Sequence, residues 1–302
     1  MIAVGSRLGA RFRQGVSLDD PSLDALLRVL TSPAFEVLPL DSTDIRIGAL
    51  PAGADVTVTA SPSKPIERTI ELAERLQGAG FHAVPHLSAR MVRDTGHLRE
   101  LLSRTRDAGI IEVFVVGGDG EPSGDFPDGL SLLRALTDLD HGFRQVGIPC
   151  YPDGHASIPD EALLDALRAK AAFATYMTTQ LCFDAGTIDR WIRARRSEGF
   201  ALPVVLGVPG SVEPHRLLAI GARIGVRDTR QFVLKNLGLV GRLLRSGGFY
   251  RPDELLAELA PTIADPAANV RGLHIYTFNQ LAATESWRAD QLATLRRSTS
   301  AA

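Results

Sequence analysis

The sequence predicts an α/β fold, a (β/α)8 barrel of the TIM type with an N-terminal helix and extra helices between strands seven and eight. Three observations point there. Short β-branched or aromatic runs alternate with helical stripes along nearly the whole chain, giving about eight strand-like segments, each followed by helix. The 302 residues contain no Pro/Ser/Gly linker and no short-period repeat, which suits one barrel of ordinary length. Polar and titratable residues recur at the carboxyl ends of the strand-like runs, where α/β folds hold their ligands. A doubly wound open sheet is the runner-up, but it normally has fewer strands or a second domain.

In order, residues 1–16 lack periodicity and read as a flexible segment ahead of a single domain over 17–297. Residues 17–30 read as a capped amphipathic helix with Leu23, Leu26, Leu27 and Leu30 on one face. Strand-like runs follow at 34–38 and 55–59, and a stripe of Ile66, Ile70, Ala73 and Leu76 marks the next helix over 66–76. Further strands are expected at 82–87, 112–117, 145–151, 176–181, 203–208 and 272–278. Helices are expected at 98–108, 130–136, 161–172, 188–196, 217–224, 229–244, 253–263 and 283–295.

A composition of 45% hydrophobic and 23% charged residues describes an ordinary globular protein with enough apolar material for a core. A formal net charge of −2 leaves no electrostatic footprint for nucleic acid or an anionic membrane. No apolar run reaches the length of a membrane span, and the N-terminus lacks a signal-type apolar region, so a cytoplasmic location is expected. Cys150 and Cys182 have no metal-ligand spacing and read as small buried hydrophobes.

The stretch 112–119, EVFVVGGD, reads as a buried strand ending in two glycines and an acid. Asp119 then stands at a strand's carboxyl end. The same positions elsewhere hold Glu36, Thr59, His86, Tyr151 with His155, Gln180, and Thr277 with Asn279. Each alone has a structural explanation as a pairing or capping residue; their recurrence at seven of the eight strand ends favours a site. His86, Asp119, Asp153 and His155 supply metal-ligand types without a recognisable ligand spacing, so no metal is expected. Gly117-Gly118-Asp119-Gly120 matches neither phosphate-loop pattern, and Arg193, Arg195 and Arg196 read as a solvated helix face.

Taken in order, the strand ends resemble the methylenetetrahydrofolate reductase family in its bacterial single-domain form. The residues are Phe35-Glu36-Val37-Leu38-Pro39, Val58-Thr59, Pro85-His86-Leu87, Gly118-Asp119, Tyr151-Pro152-Asp153-Gly154-His155, Thr179-Gln180-Leu181-Cys182-Phe183-Asp184 and His274-Ile275-Tyr276-Thr277-Phe278-Asn279. They run over about residues 20–285.

The resemblance implies reduction of 5,10-methylenetetrahydrofolate to 5-methyltetrahydrofolate, with NAD(P)H as the source of electrons and FAD as the family's carrier. It implies Glu36 and Asp119 as catalytic residues, and Asp119 and Gln180 as substrate-binding ones. Thr59, His86, Gly118, Asp119, Tyr151, His155, Asp165 and Arg168 take the cofactor-binding positions. The chemistry fits these residue types: a neutral carboxylic acid opens the imidazolidine ring by protonating nitrogen. A carboxylate pairs with the N–H edge of a pterin and stabilises a developing cation.

Three departures lie on the flavin side. Gly117 stands where the family has arginine, Ala169 replaces the second of its basic pair with Lys170 displaced by one, and Phe173 adds bulk in a small-residue stretch. Because a pyrophosphate usually needs such cations, weak or absent FAD is expected, and two routes stay open: electrons pass from NAD(P)H via FAD, or by direct hydride transfer. The alternative is a catalytically altered folate-binding paralogue or another one-carbon barrel enzyme.

Overall fold

Eight parallel strands pair in sequence order, and the last returns to the first. They are β1 (Ala34–Val37), β2 (Asp55–Val58), β3 (His82–Ser88), β4 (Glu112–Val116), β5 (Gln145–Cys150), β6 (Tyr176–Thr179), β7 (Val204–Pro209) and β8 (Val270–Tyr276). The helices are α1 (Asp20–Thr31), α2 (Glu67–Gly78), α3 (Thr95–Asp107), α4 (Gly129–Asp138), α5 (Asp160–Ala171), α6 (Ala185–Ser197), α7 (Asp253–Ala264) and α8 (Leu281–Thr299). This computed structural model describes residues 19–40, 47–121, 123–213 and 250–299. The expected TIM-type barrel with its N-terminal helix is what forms. The segment 1–16 and the helices expected at 217–224 and 229–244 lie outside the described residues. Of the extra helices between β7 and β8, α7 is the described one.

Boundaries moved for local reasons. Helix α1 begins at Asp20 because Asp19 caps it, accepting from Ser22 N at 3.0 Å, with proline in the first turn. Strand β6 stops at Thr179, short of 181, since Leu181 N donates to the Gln180 side chain at 2.9 Å and leaves the ladder. Strand β8 ends at Tyr276, where the chain turns with Phe278 at φ 51° and Asn279 at φ 60°.

Strand side chains alternate between two cores. Outward residues such as Phe35, Val37, Val113 and Val115 pack against the apolar stripes of the surrounding helices. Inward ones form a smaller cluster of Val84, Phe114, Tyr176 and Val205. The inner rings fit only because two strands carry glycine. A Cβ on Gly147 would lie 2.4 Å from Tyr176 Cζ and 2.5 Å from Phe114 Cδ2. A Cβ on Gly207 would lie 2.8 Å from Tyr276 Cε2 and 2.1 Å from the Thr179 carbonyl oxygen.

The amino end of the barrel is closed by polar groups that sequence reading passed over. His82 Nδ1 meets Asp55 Oδ1 at 2.8 Å across the first register pair of β2 and β3. Glu112 is buried at the start of β4. Arg271 lies 4.9 Å over the Tyr176 ring, at a break in register where Val204 pairs Val270 but Val205 pairs Gly272. Cys150 and Cys182 are buried, as expected, and neither is in a disulfide. Among the described residues no helix is long and apolar enough to cross a membrane.

Two outcomes test this frame. Gly147→Ala should destabilise the fold by about 1–3 kcal/mol in urea unfolding, through overpacking against Tyr176 and Phe114. The His82 pKa is raised, first by its hydrogen bond to Asp55 and opposed by desolvation. Its contribution is therefore fully present below the ordinary histidine value and lost as pH rises through the folded value. Unfolding midpoints above about pH 6.5 should fall more steeply for wild type than for Asp55→Asn; parallel curves would refute the pairing.

Candidate active site at the carboxyl ends of the strands

Inward-facing β1 and β8 meet at the mouth, with Glu36 in register with Tyr276. Glu36 Oε2 lies 3.1 Å from His274 Nε2, and both side chains are largely buried, at 14% and 5% exposure. The contact holds the carboxyl in one orientation, with Oε2 turned to the imidazole. Three further bonds hold the same seam. Thr277 Oγ1 donates to the Glu36 carbonyl. Leu38 N donates to Asn279 Oδ1 at 2.8 Å, and Asn279 Nδ2 donates to the Leu38 carbonyl at 3.2 Å. The polar residues at the end of β8 thus clamp the strand that carries the acid.

Tyr276 sits beside Glu36. Its phenol donates to the Thr179 carbonyl at 3.1 Å, and burial, then the nearby Glu36 carboxyl, raise its pKa well above the ordinary value. Tyr151, just beyond β5, is pushed up to about 12 by burial, with Cys150 and Asp119 adding to the effect. Asp119 thereby joins the same mouth. It is exposed, and its carboxylate makes no hydrogen bond among the described residues. Gln180 stands half-buried at the end of β6, its backbone N donating to the Cys150 carbonyl at 2.7 Å. Its side-chain oxygen is turned to Leu181 N.

The expected cofactor positions divide. Thr59 Oγ1 donates to the Val37 carbonyl at 3.3 Å, and His155 meets the Tyr151 ring edge-on at 5.7 Å, so both border the mouth. Gly118 is pressed against β3: a Cβ there would fall 2.1 Å from Ser88 Oγ, and its φ of +94° disfavours other residues. His86 is buried inside the barrel, its ring 4.8 Å from Phe114 and 6.4 Å from His274. Burial, then His274, pull its pKa down to about 3, so it is neutral at working pH, with Nε2 unpartnered. Asp165 and Arg168 lie apart from the cluster. Arg168 pairs with Asp165 at 3.1 Å and with Glu198 at 3.3 Å, on a surface hollow bordered by Gly199 to Pro203, the turn that enters β7.

Gly117 leaves no cation at the end of β4. The displaced Lys170 does approach that region, running against Gly129 beside Gly117, and burial lowers its pKa. No group of three or more metal-ligating side chains exists among the described residues. Glu36, Asp119, Tyr151, Thr59, His155 and Gln180 all stand at or just beyond the carboxyl ends of the strands. Sequence reading gave no role to His274 and Tyr276, although both lie in the closing motif it singled out. It also missed Arg90. An inward parity shared with Glu36's register partner was the available signal for the first two; Arg90 had none.

The family described as "Methylenetetrahydrofolate reductase" matches residues 40–212, more than half of the chain. A Caenorhabditis elegans protein named "Probable methylenetetrahydrofolate reductase (NADPH)" is 24% identical over 244 residues, covering 78% of this chain. The chain spans about a third, 34%, of that relative's length. Among solved structures, a Burkholderia cenocepacia J2315 protein provisionally named a lyase/mutase aligns over 93% of this chain and 88% of its own, at 17% identity and TM-score 0.46. One from Aquifex aeolicus VF5 aligns over 93% of this chain and 98% of its own, at 8% identity and TM-score 0.43.

Gly118→Ala measures how tightly the mouth is built. The added methyl meets Ser88 in a backbone conformation that alanine avoids, so a loss of about 1–3 kcal/mol is expected. Thermal unfolding reads it, and an unchanged midpoint would contradict the contact.

Proposed function

Since the chain belongs to the methylenetetrahydrofolate reductase family, we propose that it reduces 5,10-methylenetetrahydrofolate to 5-methyltetrahydrofolate, taking the hydride directly from NAD(P)H. The observation that carries the reading is the acid pair at one mouth: Glu36 held by His274, and Asp119 exposed near Tyr151. Glu36 gives its proton to the imidazolidine nitrogen that leaves; the C–N bond breaks and a methylene iminium cation remains. Asp119 accepts hydrogen bonds from the N–H edge of the pterin, and its negative charge favours that cation. A nicotinamide bound at this mouth would supply the hydride that turns the methylene carbon into the methyl group. Glu36 then regains a proton from solvent. Gln180 contributes its uncommitted amide donors to the heterocycle edge.

The residues present do not fit FAD. Gly117 supplies no cation beside Asp119. Arg168 is engaged with Asp165 and with Glu198, by the turn into β7. His86 is packed against Phe114 inside the barrel rather than presented at the mouth. Among the described residues Lys170 approaches from α5, and the Arg90 guanidinium is spent on the Gly120 and Pro127 carbonyls. No step is therefore routed through a flavin.

Purified protein should oxidise NAD(P)H only when methylenetetrahydrofolate is present, with no stimulation by added FAD. A stoichiometric flavin band near ~450 nm in the purified protein, a general property of flavins, would falsify direct transfer. Glu36→Gln should lower kcat by about a hundredfold or more, the usual contribution of a positioned acid. Unchanged turnover would remove Glu36 from its role.

A further inference from the structure

We propose that Arg90 is the positioning residue for Asp119: from the β3–α3 connection it pins the backbone on both sides of that carboxylate, so that the acid is set for a pterin before substrate arrives. The inference rests on the reading of Asp119 as the pterin partner. Asp119 stands between Gly118 and Gly120, both at positive φ, 94° and 84°. Glycine's conformational freedom on each side would leave an exposed carboxylate without a defined direction.

Arg90 removes that freedom. Its NH1 donates to the Gly120 carbonyl at 2.7 Å, one residue past Asp119, and its Nε donates to the Pro127 carbonyl at 3.0 Å, where the connection turns into α4. Its own N–H donates to the Gly117 carbonyl at 3.1 Å, two residues before Asp119. Its carbonyl accepts from Ser123 N at 2.9 Å and from Ser123 Oγ at 2.7 Å. One residue therefore ties the β4–α4 connection at four points along its length.

Close packing supports the same placement. Gly118 lies on Ser88, and a Cβ there would also reach to 3.6 Å from Arg90 Cβ. Gly124 lies so near Arg93 that a Cβ would be 2.0 Å from its carbonyl oxygen, and Asp125 N donates to that oxygen at 2.8 Å. The planar fork is what spans two carbonyls; an ammonium on a flexible stem reaches one at a time. The advantage is pre-organisation: ordering that substrate binding would otherwise cost is already built in.

The test uses the full chain with Arg90→Gln and Arg90→Lys, with and without Asp119→Ala. Amide exchange in 117–121 and 123–128 should accelerate in Arg90→Gln, with other segments unchanged. Its KM for methylenetetrahydrofolate should rise about tenfold, the worth of one to two lost hydrogen bonds from a charged donor. The KM for NAD(P)H should hold. Arg90→Lys should recover only part of the loss, and in the Asp119→Ala background Arg90→Gln should add nothing further. Faster exchange with unchanged folate KM, equal rises in both KM values, or full additivity with Asp119→Ala would each overturn the role. A wild type that binds folate without turnover would defeat the proposed reaction instead. Folate affinity, measured by titration on the same variants, then replaces KM and decides the Arg90 role by the same criteria.

Discussion

The seam between β8 and β1 is the constraint on which the rest of this molecule depends. A parallel barrel closes only if its last strand finds its first, and here the closing pair also carries the acid. His274, Thr277 and Asn279 all spend their polar atoms on β1, at Glu36 or at Leu38 beside it. Barrel closure and placement of the Glu36 carboxyl are thus a single event. Strain is accepted to achieve it: Phe278 and Asn279 both take left-handed backbone immediately after the clamp.

Inside, the barrel is filled by rings and polar side chains together with the valines Val84 and Val205. Phe114, Tyr176 and Tyr276 occupy room that Gly147 and Gly207 vacate on facing strands. That arrangement buries His86 in an environment where it stays neutral, and it supports Glu36 and His274 from below. The polar groups at the amino end, with Asp55, His82, Glu112 and Arg271, close the opposite opening. Chemistry at the carboxyl end and closure at the amino end are separated by this packed middle, the usual division of labour between the two faces of such folds.

The flavin-side departures acquire physical meaning only in three dimensions. Loss of arginine at 117 is visible in the chain as a letter. That Arg168 is committed to Glu198 and that His86 is packed inward required the fold, since partners 30 residues apart in sequence meet on neighbouring helices. The structure also corrects the count of lost cations, because Lys170, displaced by one position on α5, still runs toward Gly117. With Arg90 committed to the Gly120 and Pro127 carbonyls, Lys170 is the remaining cation among the described residues there, fewer than a pyrophosphate ordinarily engages.

Sequence by itself determined the barrel, the order of its strands and the acids at their ends. Alternating β-branched runs and helical stripes are local signals, and the placement of ligands at carboxyl ends follows from the architecture they imply. It also located Glu36, Asp119 and Gln180 through ordered short motifs. What it left undecided was everything set by contacts between distant segments: the His274–Glu36 pair, separated by 238 positions, the inward burial of His86, and the hold of Arg90 on the connection that bears Asp119. A side chain's partner in a barrel depends on strand register and on which face the pleat turns inward. Those are fixed by closure of the whole sheet, and no window of sequence contains them.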